Sequence, residues 1–470
     1  MRLLKLVGVL SLVVILSTGC YKNDNSGENP INLFDELPIY NQEKKDISDK
    51  AKRIAGSANL ILPYNSIEVG KINEVDLNND GKNEVVFFEK RENINNEVGF
   101  TVLESKDDES KDALYTESGD KIKYANFYDL DNDGNKEIIL VVEEKNETTL
   151  TICRYENGEI KELFSKNNYD YFNKDKFLKL GIVVDDIDND DNLELIIYNY
   201  NYDKKEMNLN LCELKDDKIN IIDTLKFDDV KNFDDINISV GKIGKKDKGL
   251  FLSLPTSKNS KFNTEVVYLE NNKLIDAFKD HKDILNDYYI AFEDVNNDGI
   301  TNIPIIDIES INKDSLSTST MPKSLIISWN KYNGKEGKDA DLLFVNKIYY
   351  NYELNFKFLI PNNLVGKISI NENTDQNTSS SYKIFNFYYN ESSTPYLDKK
   401  NRQQLFSLNL AEKGVVDDSK TINNKGDIIL ESDKYVYSIS DINEKLFNKL
   451  GLSIDILKDY FSIIKWLSKV

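Results

Sequence analysis

The sequence predicts a mainly β protein, and three observations lead to this prediction. An acidic nine-residue motif begins at positions 76, 129, 186 and 294, so its copies are spaced by about 53 residues or a multiple of that. Short apolar runs follow each motif, and each unit reads as four short strands. Beyond residue 342 the motif stops, and the chain ends in helical patterns. Because four-stranded repeats of about 50 residues are typical of propeller blades, the predicted fold is a β-propeller of about five four-stranded blades, followed by a small α+β domain.

The acidic motif has four clear copies, which form four predicted loops. These are DLNNDGKNE at 76–84 (first loop), DLDNDGNKE at 129–137 (second loop), DIDNDDNLE at 186–194 (third loop) and DVNNDGITN at 294–302 (fifth loop). The gap between the last two copies is twice the repeat, and residues 238–254 keep the strand–loop–strand pattern there without the acidic side chains. Five units therefore cover residues 58–342, and six or seven blades result if the segment after 340 forms degenerate blades.

Each acidic motif places oxygen-bearing side chains at alternate positions, as hard cations such as calcium require. We expect side-chain oxygens from positions one, three, five and nine, and the backbone carbonyl from position seven. Magnesium fits less well because it demands stricter octahedral geometry. The expected ligands are Asp76, Asn78, Asp80, Lys82 and Glu84; Asp129, Asp131, Asp133, Asn135 and Glu137; Asp186, Asp188, Asp190, Asn192 and Glu194; and Asp294, Asn296, Asp298, Ile300 and Asn302.

The four loops differ in their expected affinity for up to four structural calcium ions. The second loop is complete and is the expected best site. Asp191 replaces the turn glycine in the third loop, although Asp tolerates a left-handed backbone better than most residues. Asn78, Asn296 and Asn302 bring neutral oxygens, which weakens the first and fifth loops. The degenerate fourth copy should bind no ion. The alternative interpretation is that all are Asx-type hairpin turns that carry charge on the surface.

The loops resemble those of FG-GAP/VCBS repeats, the calcium-loop blades of integrin-α-type propellers. The resemblance covers a little over half of the chain and implies structural calcium in propeller blades. One departure affects the ligands: loops of that family commonly end in Asp, whereas three of the loops here end in Glu.

The first residues have the form of a targeting segment. Arg2 and Lys5 precede an apolar run at 6–16 that is too short for a transmembrane helix. The run ends in LSTGC, which resembles a bacterial lipoprotein cleavage site, although Ser17 stands where Leu is usual. The resemblance implies cleavage after residue 19 and lipid on Cys20, an anchor to the outer face of the cell membrane. An ordinary secretory signal is the alternative. Residues 20–57 are polar and predict a flexible tether, with a short helix at 46–55.

Composition narrows the range of partners. The formal charge of −21 argues against nucleic acid and against direct adhesion to anionic lipid, and it suits a protein that collects cations. Cys153 and Cys212 lie in apolar strand-like runs and should be buried free thiols. His281 is the only histidine, which argues against triad chemistry and a His-rich zinc site. We expect a monomer. The abundance of Asn, Lys and Ile, together with the lipoprotein signal, indicates a Gram-positive bacterium.

Residues 343–470 form the predicted C-terminal α+β domain. Alternating aromatic runs predict an antiparallel sheet. Two helical stripes follow, one at 442–450 and one from Ser453, a predicted N-cap, to Leu467. The alternative is a pair of irregular blades with added helices.

The expected function is a non-catalytic binding or recognition module at the cell envelope, with an unidentified protein or glycan partner. This rests on analogy of fold. One alternative is an envelope polysaccharide hydrolase or lyase, and another is a sensor or assembly factor of a membrane complex. Asp185 and Asp186 could serve as acid and base, but metal loops already explain their spacing. The sequence has no Ser-centred nucleophile motif, no Gly-rich phosphate loop and no redox CxxC.

Overall fold

The computed structural model of the protein describes residues 42–64, 69–92, 96–104, 112–145, 147–165, 178–244, 248–307, 322–372, 382–391, 401–414 and 426–464. The predicted signal segment at 1–19, the lipidation site Cys20 and the larger part of the predicted tether lie outside these residues. None of the described helices is long and apolar enough to cross a bilayer. Helix α1 spans Gln42–Ala55 and begins four residues before the helix predicted within the tether.

The strands are numbered along the chain, and the first three sheets each contain one acidic loop. The first sheet has β1 (Asn59–Leu60), β2 (Ile72–Val75), β3 (Glu84–Arg91), β4 (Glu97–Leu103) and β5 (Asp112–Ser118). The second has β6 (Lys121–Tyr128), β7 (Glu137–Glu144), β8 (Glu147–Glu156) and β9 (Glu159–Phe164). The third has β10 (Leu178–Asp185), β11 (Glu194–Asn201), β12 (Glu206–Lys215) and β13 (Lys218–Phe227).

Three further sheets follow. The fourth has β14 (Asn237–Lys242), β15 (Lys248–Pro255), β16 (Phe262–Glu270), β17 (Lys273–Asp276) and the short β18 (Leu285–Asn286). The fifth has β19 (Ile303–Ile306), β20 (Ser324–Tyr332), β21 (Leu342–Asn351), β22 (Phe356–Ile360) and the C-terminal β28 (Phe461–Ile463). The sixth has β23 (Ile368–Glu372), β24 (Tyr382–Tyr389), β25 (Gln403–Glu412), β26 (Asp427–Glu431) and β27 (Tyr435–Ser440).

The sheets confirm the predicted mainly β, blade-like architecture. In each of the first five, four consecutive antiparallel strands pair in chain order, which is the strand order of a propeller blade. The sixth sheet departs from it, since β27 lies between β25 and β26. Sheets adjacent in sequence share hydrophobic cores. Val86 of the first sheet lies in one core with Leu140 of the second, and Ile139 of the second sheet lies in another core with Ile197 of the third. Central strands such as β7 are therefore apolar on both faces.

The C-terminal part combines the last two sheets with two short helices, α2 (Glu444–Leu450) and α3 (Ile454–Tyr460). Both helices contribute to one core with the fifth and sixth sheets. The side chain of Ser453 accepts a hydrogen bond from Ile456 N and so caps α3 as predicted. The second helical stripe is shorter than predicted, because the chain becomes strand β28 at Phe461 and pairs with β22.

The fifth sheet crosses the predicted boundary between residues 342 and 343. Strand β21 begins at Leu342 and is hydrogen-bonded to β20 along its length. The aromatic alternation that suggested a new domain is thus the third strand of a blade. The described residues from 51 onward belong to one compact unit.

The two cysteines outside the signal region are decided as well. Cys153 and Cys212 are buried free thiols, as predicted.

Candidate metal centres

The acidic loops occupy equivalent places in their sheets. In the first three sheets the loops are the hairpins between β2 and β3, between β6 and β7, and between β10 and β11. The fifth loop directly precedes β19 and is closed by an isolated bridge between Glu293 and Asn302. One local geometry therefore recurs at the same edge of four blades.

The ninth residue of each loop closes it through the same hydrogen bond. Its side-chain oxygen accepts from the backbone N–H of the second residue, at 2.8 Å for Glu84 to Leu77, 2.9 Å for Glu137 to Leu130 and 2.6 Å for Glu194 to Ile187. Asn302 makes the same bond with its Oδ1, at 3.0 Å from Val295 N. This role needs an acceptor oxygen and not a charge, so Asn can replace Glu in the fifth loop.

Two further bonds set the turn. The first residue accepts from the sixth N–H in three loops, for example Gly134 N to Asp129 Oδ2 at 3.0 Å. The fifth residue accepts from the seventh N–H, for example Asn135 N to Asp133 Oδ1 at 2.8 Å. The latter bonds are Asx turns, as the alternative interpretation expected. The loops are thus closed and turned by hydrogen bonds between their own residues.

The motif contains two structural signals that the sequence analysis did not use. The fourth residue is Asn in every acidic loop, and it has a left-handed backbone with φ between 55° and 59° at Asn79, Asn132, Asn189 and Asn297. Asn is among the residues that tolerate this conformation best. The second residue is always aliphatic, and Leu77, Leu130 and Ile187 are buried in the cores between blades. Both features were visible in the aligned copies.

The second and third loops bring three carboxylates together. Ligand atoms of Asp129, Asp131 and Glu137 lie within 4.8 Å of one another, and so do those of Asp186, Asp188 and Glu194. Positions one, three and nine therefore lie close together in these two loops. Position five is outside both groups. Among the described residues, the first and fifth loops form no such group of three acids, because Asn78 and Asn296 occupy position three.

The second loop contains a cationic side chain that the sequence analysis missed. Arg154, on β8, is the cross-strand partner of Glu137. Its Nε and Nη2 lie 2.7 and 2.6 Å from Glu137 Oε1, and Nη2 lies 2.8 Å from Asp131 Oδ2. Its Nη1 reaches Asp133 Oδ2 at 3.4 Å and Asp217 Oδ1, on the β12–β13 turn of the third sheet, at 3.2 Å. An arginine in an otherwise uncharged, buried stretch of a central strand was the available signal.

The third loop has a different electrostatic environment. Leu195 pairs with Cys212, so the residue opposite Glu194 on the neighbouring strand is Glu213 and not a basic residue. No ion pair to Asp186, Asp188, Asp190 or Glu194 occurs within the part of the chain that the structure describes. Burial raises the pKa of Glu194 to about 7, and the neighbouring Asp188, Asp190 and Asp186 charges add to this. Burial also raises the pKa of Glu137 to about 7, but there Arg154 opposes the shift.

Calcium fits the donor set of these loops. Asp129 Oδ1, Asp131 Oδ1 and Asp76 Oδ1 are buried without a hydrogen-bond partner. A buried carboxylate oxygen without a donor is costly, and a hard cation would satisfy it. Asp129, Asp131 and Glu137 would hold an ion in the second loop, and Asp186, Asp188 and Glu194 would hold one in the third.

Neighbouring loops contact each other across blades. Lys136 N donates to Leu77 O at 2.9 Å, which joins the second loop to the first. Asn132 Nδ2 donates to Asn192 Oδ1 at 2.7 Å, which joins the second loop to the third. The first three loops therefore form one continuous acidic face, which we call the loop face (76–84, 129–137 and 186–194).

One carboxyl pair lies away from the loops. Glu265 on β16 and Asp276 on β17 are neighbouring carboxyl groups, and Asn263 Nδ2 donates to Glu265 Oε1 at 2.7 Å. Burial raises the pKa of Glu265 to about 9, and the Asp276 charge adds to this; burial raises the pKa of Asp276 as well. Asp185, considered above as an acid or base, instead forms an ion pair with Lys248 Nζ at 2.6 Å.

No known protein family matches the sequence, and no curated protein matches it. Among solved structures, the chain is similar to the exotype rhamnogalacturonan lyase YesX, at 10% identity and a TM-score of 0.27, over 72% of this chain and 65% of the lyase, just under two thirds of its length. It is also similar to the fission yeast SREBP-SCAP binding domains, at 12% identity and a TM-score of 0.28, over 79% of this chain and 82% of that one. The WD40 domain of SCAP from fission yeast gives 12% identity and a TM-score of 0.26, over 79% and 95%.

Proposed function

We propose that this protein is a calcium-binding β-propeller that is anchored by lipid on Cys20 outside the cytoplasm and acts as a non-catalytic recognition module at the cell envelope. The observation that carries the calcium part is the convergence of positions one, three and nine in the second and third loops. In the second loop, two of the converging carboxylates also have a buried oxygen without a donor. Calcium would supply the positive partner that these carboxylate oxygens lack, and it would offset the repulsion between the carboxylates of each tight loop.

The loop face supports a binding role. Its three loops are hydrogen-bonded to one another, so they present a continuous acidic surface on a rigid β scaffold. Loops positioned by such a scaffold are common binding surfaces. Bound calcium would make this face less negative, and the presence of calcium would thereby regulate which envelope protein or glycan it contacts.

Calcium binding is tested on the full-length protein in detergent, by calorimetric titration and by thermal unfolding with calcium and with chelator. We expect a heat of binding and a higher melting temperature with calcium. Asp131→Ala should weaken the second site and leave the third, while Asp188→Ala should do the reverse. A protein that shows no heat of binding and melts identically with chelator would end the calcium proposal.

Lipid anchoring is tested separately in cells. The wild-type protein should incorporate labelled palmitate and fractionate with membranes, and Cys20→Ala should lose the label. Because Cys153 and Cys212 are buried, Cys153→Ala is a suitable control that should keep the label. Labelling that persists in Cys20→Ala would show that the anchor is elsewhere.

Hydrolysis is the second candidate because the Glu265–Asp276 pair is a convergent carboxyl pair away from the loops. Its geometry does not favour glycoside hydrolysis, in which the two carboxyl groups stand roughly 5–9.5 Å apart on either side of the bond. Glu265 and Asp276 are instead partly buried neighbours on adjacent strands, and the Asp276 charge helps to raise the pKa of Glu265. Release of reducing ends from envelope polysaccharide by wild type but not by Glu265→Gln would nevertheless favour the hydrolase.

A further inference from the structure

We propose that the Arg154 guanidinium is a built-in cation of the second loop, which holds this loop in shape without metal and makes it a weaker calcium site than the third loop. The inference rests on the proposed calcium binding, and it names the residue that makes the calcium affinity of the second loop differ from that of the third. It also reverses the order expected from the motif, in which the second loop is the most complete.

The buried side chain of Arg154 is hydrogen-bonded to carboxylates of the second loop. Its side chain is only 9% exposed, and Glu137 has no exposed side-chain surface. The guanidinium donates to Asp131 Oδ2 and Glu137 Oε1, at positions three and nine of the loop. These are two of the three residues that would ligate an ion. An oxygen that accepts a short bond from a guanidinium is less available to a metal, because the ion would have to displace a charge-assisted bond.

The remaining oxygens place a metal beside a positive charge. Asp129 Oδ1 and Asp131 Oδ1 are the buried oxygens without donors in the second loop. Asp131 offers its other oxygen to Arg154, so an ion at Oδ1 would share one carboxylate with the guanidinium. A calcium ion and a guanidinium that share one carboxylate repel each other strongly in a partly buried site. We therefore expect calcium to bind the second loop about ten-fold or more weakly than the third.

Arg154 also connects the loop to the next blade. Its Nη1 lies 3.2 Å from Asp217 Oδ1, and Lys161 Nζ lies 2.5 Å from Asp217 Oδ2. The cation is thus fixed from two sheets, and its position does not depend on an ion. Lys161 shares Asp217 with Arg154 but does not contact the loop, so it provides a matched control.

The other loops follow the same rule at the equivalent cross-strand position. In the fifth sheet Ile303 pairs with Asn330, so Lys331 falls opposite Asn302, and its Nζ lies 3.8 Å from Asp298 Oδ2. In the third sheet this position is Glu213. The residue opposite position nine therefore determines whether a loop has its own cation.

Hydrogen exchange of the full-length protein, read by mass spectrometry in calcium and in chelator, tests the inference loop by loop. At a calcium concentration just sufficient to occupy the third loop, wild-type peptides that cover 186–194 should exchange more slowly than in chelator, while peptides that cover 129–137 should exchange nearly equally in both conditions. In Arg154→Met the second loop should exchange several-fold faster in chelator and be protected by calcium, with a calcium affinity about ten-fold or more tighter than in the wild type. Lys161→Met should behave as the wild type.

Equal calcium protection of both loops in the wild type would overturn the inference, and so would an unchanged second loop in Arg154→Met. If Arg154→Met does not fold, Arg154→Lys is measured instead. Because this variant keeps the positive charge, calcium should still not slow the exchange of its second loop. Calcium protection of that loop equal to that of the third loop would overturn the inference. If calcium protects no loop in any variant, the proposed calcium binding fails. In that case the exchange measured in chelator tests the structural part of the inference. Faster exchange of the second loop in Arg154→Met but not in Lys161→Met supports the built-in cation, and equal exchange of this loop in the two variants overturns it.

Discussion

Glu137 and Arg154 are cross-strand partners whose charges meet inside the second loop. Glu137 accepts from Arg154 Nε through Oε1 at 2.7 Å and from Leu130 N through Oε2 at 2.9 Å. Each carboxylate oxygen thus has its own donor. Glu84 closes the first loop in the same way through Leu77 N, but no arginine stands beside it in the described chain.

This difference between two equivalent glutamates predicts the effect of Glu137→Gln. A Gln side chain has one acceptor oxygen, so Leu130 N–H and Arg154 would compete for it, and the amide group would face a donor. We expect a loss of about 1–3 kcal/mol in the free energy of unfolding, measured by chemical denaturation at pH 8. Glu84→Gln is the matched control and should cost less than about 1 kcal/mol. Equal losses for the two variants would mean that Arg154 contributes nothing to the closure of the loop.

Asp191→Gly should stabilise the protein. Asp191 has a φ of 69° at the loop position where the other acidic copies have Gly81, Gly134 and Gly299. A glycine relieves the strain of a left-handed backbone, which costs an ordinary L-residue about 1–2 kcal/mol and Asp somewhat less. We expect a gain of about 0.5–1 kcal/mol in the free energy of unfolding in chelator. Asp191→Asn removes the charge and keeps the side chain; if it gives the whole gain, repulsion and not strain is the cause.

The bond between Asn132 and Asn192 should couple the second and third loops. Asn132 has a φ of 57°, so Asn132→Gly keeps the backbone and removes only the side-chain bond. In a double-mutant cycle with Asn192→Ala, we expect a coupling free energy of about 0.5–1 kcal/mol. Asn297→Gly, at the same position of the fifth loop, should show no coupling with Asn192→Ala. Strict additivity for the first pair would mean that the loops do not support each other.

The Glu265–Asp276 pair should make stability depend on pH. Because burial raises the folded pKa of Glu265 to about 9, above its ordinary value of 4.5, folding favours the protonated form. The stabilisation from Glu265 is therefore fully present below about pH 4.5 and is lost as pH rises through about 9. Glu265→Gln should accordingly become more stable than the wild type as pH rises, by on the order of 1 kcal/mol or more at pH 9.

Chemical denaturation at pH 5, 7 and 9 measures this difference. Glu270→Gln, an exposed position on the same strand, is the control and should follow the wild type at each pH. A difference between Glu265→Gln and the wild type that stays constant from pH 5 to pH 9 would contradict the prediction.

The repeat was predictable because it leaves local marks in the chain. Spaced Asp and Asn side chains, a turn glycine and the following apolar run are all dictated by residues within one hairpin. The boundary at 343 was wrong in location because β21 has the alternation of any half-buried strand, and alternation does not tell which strand it pairs with.

The sequence by itself determined the mainly β class, the blade repeat, the place of the acidic loops and the burial of Cys153 and Cys212, since these depend on periodicity and local turn chemistry. Only the tertiary structure decided which loops stand next to each other and which of them has a cation of its own. Arg154 lies 17 residues from Glu137 in sequence, and Asp217 lies 63 residues from Arg154. The charge around a loop is a sum over such partners, so it is determined by strand register and blade packing, which no motif of nine residues contains.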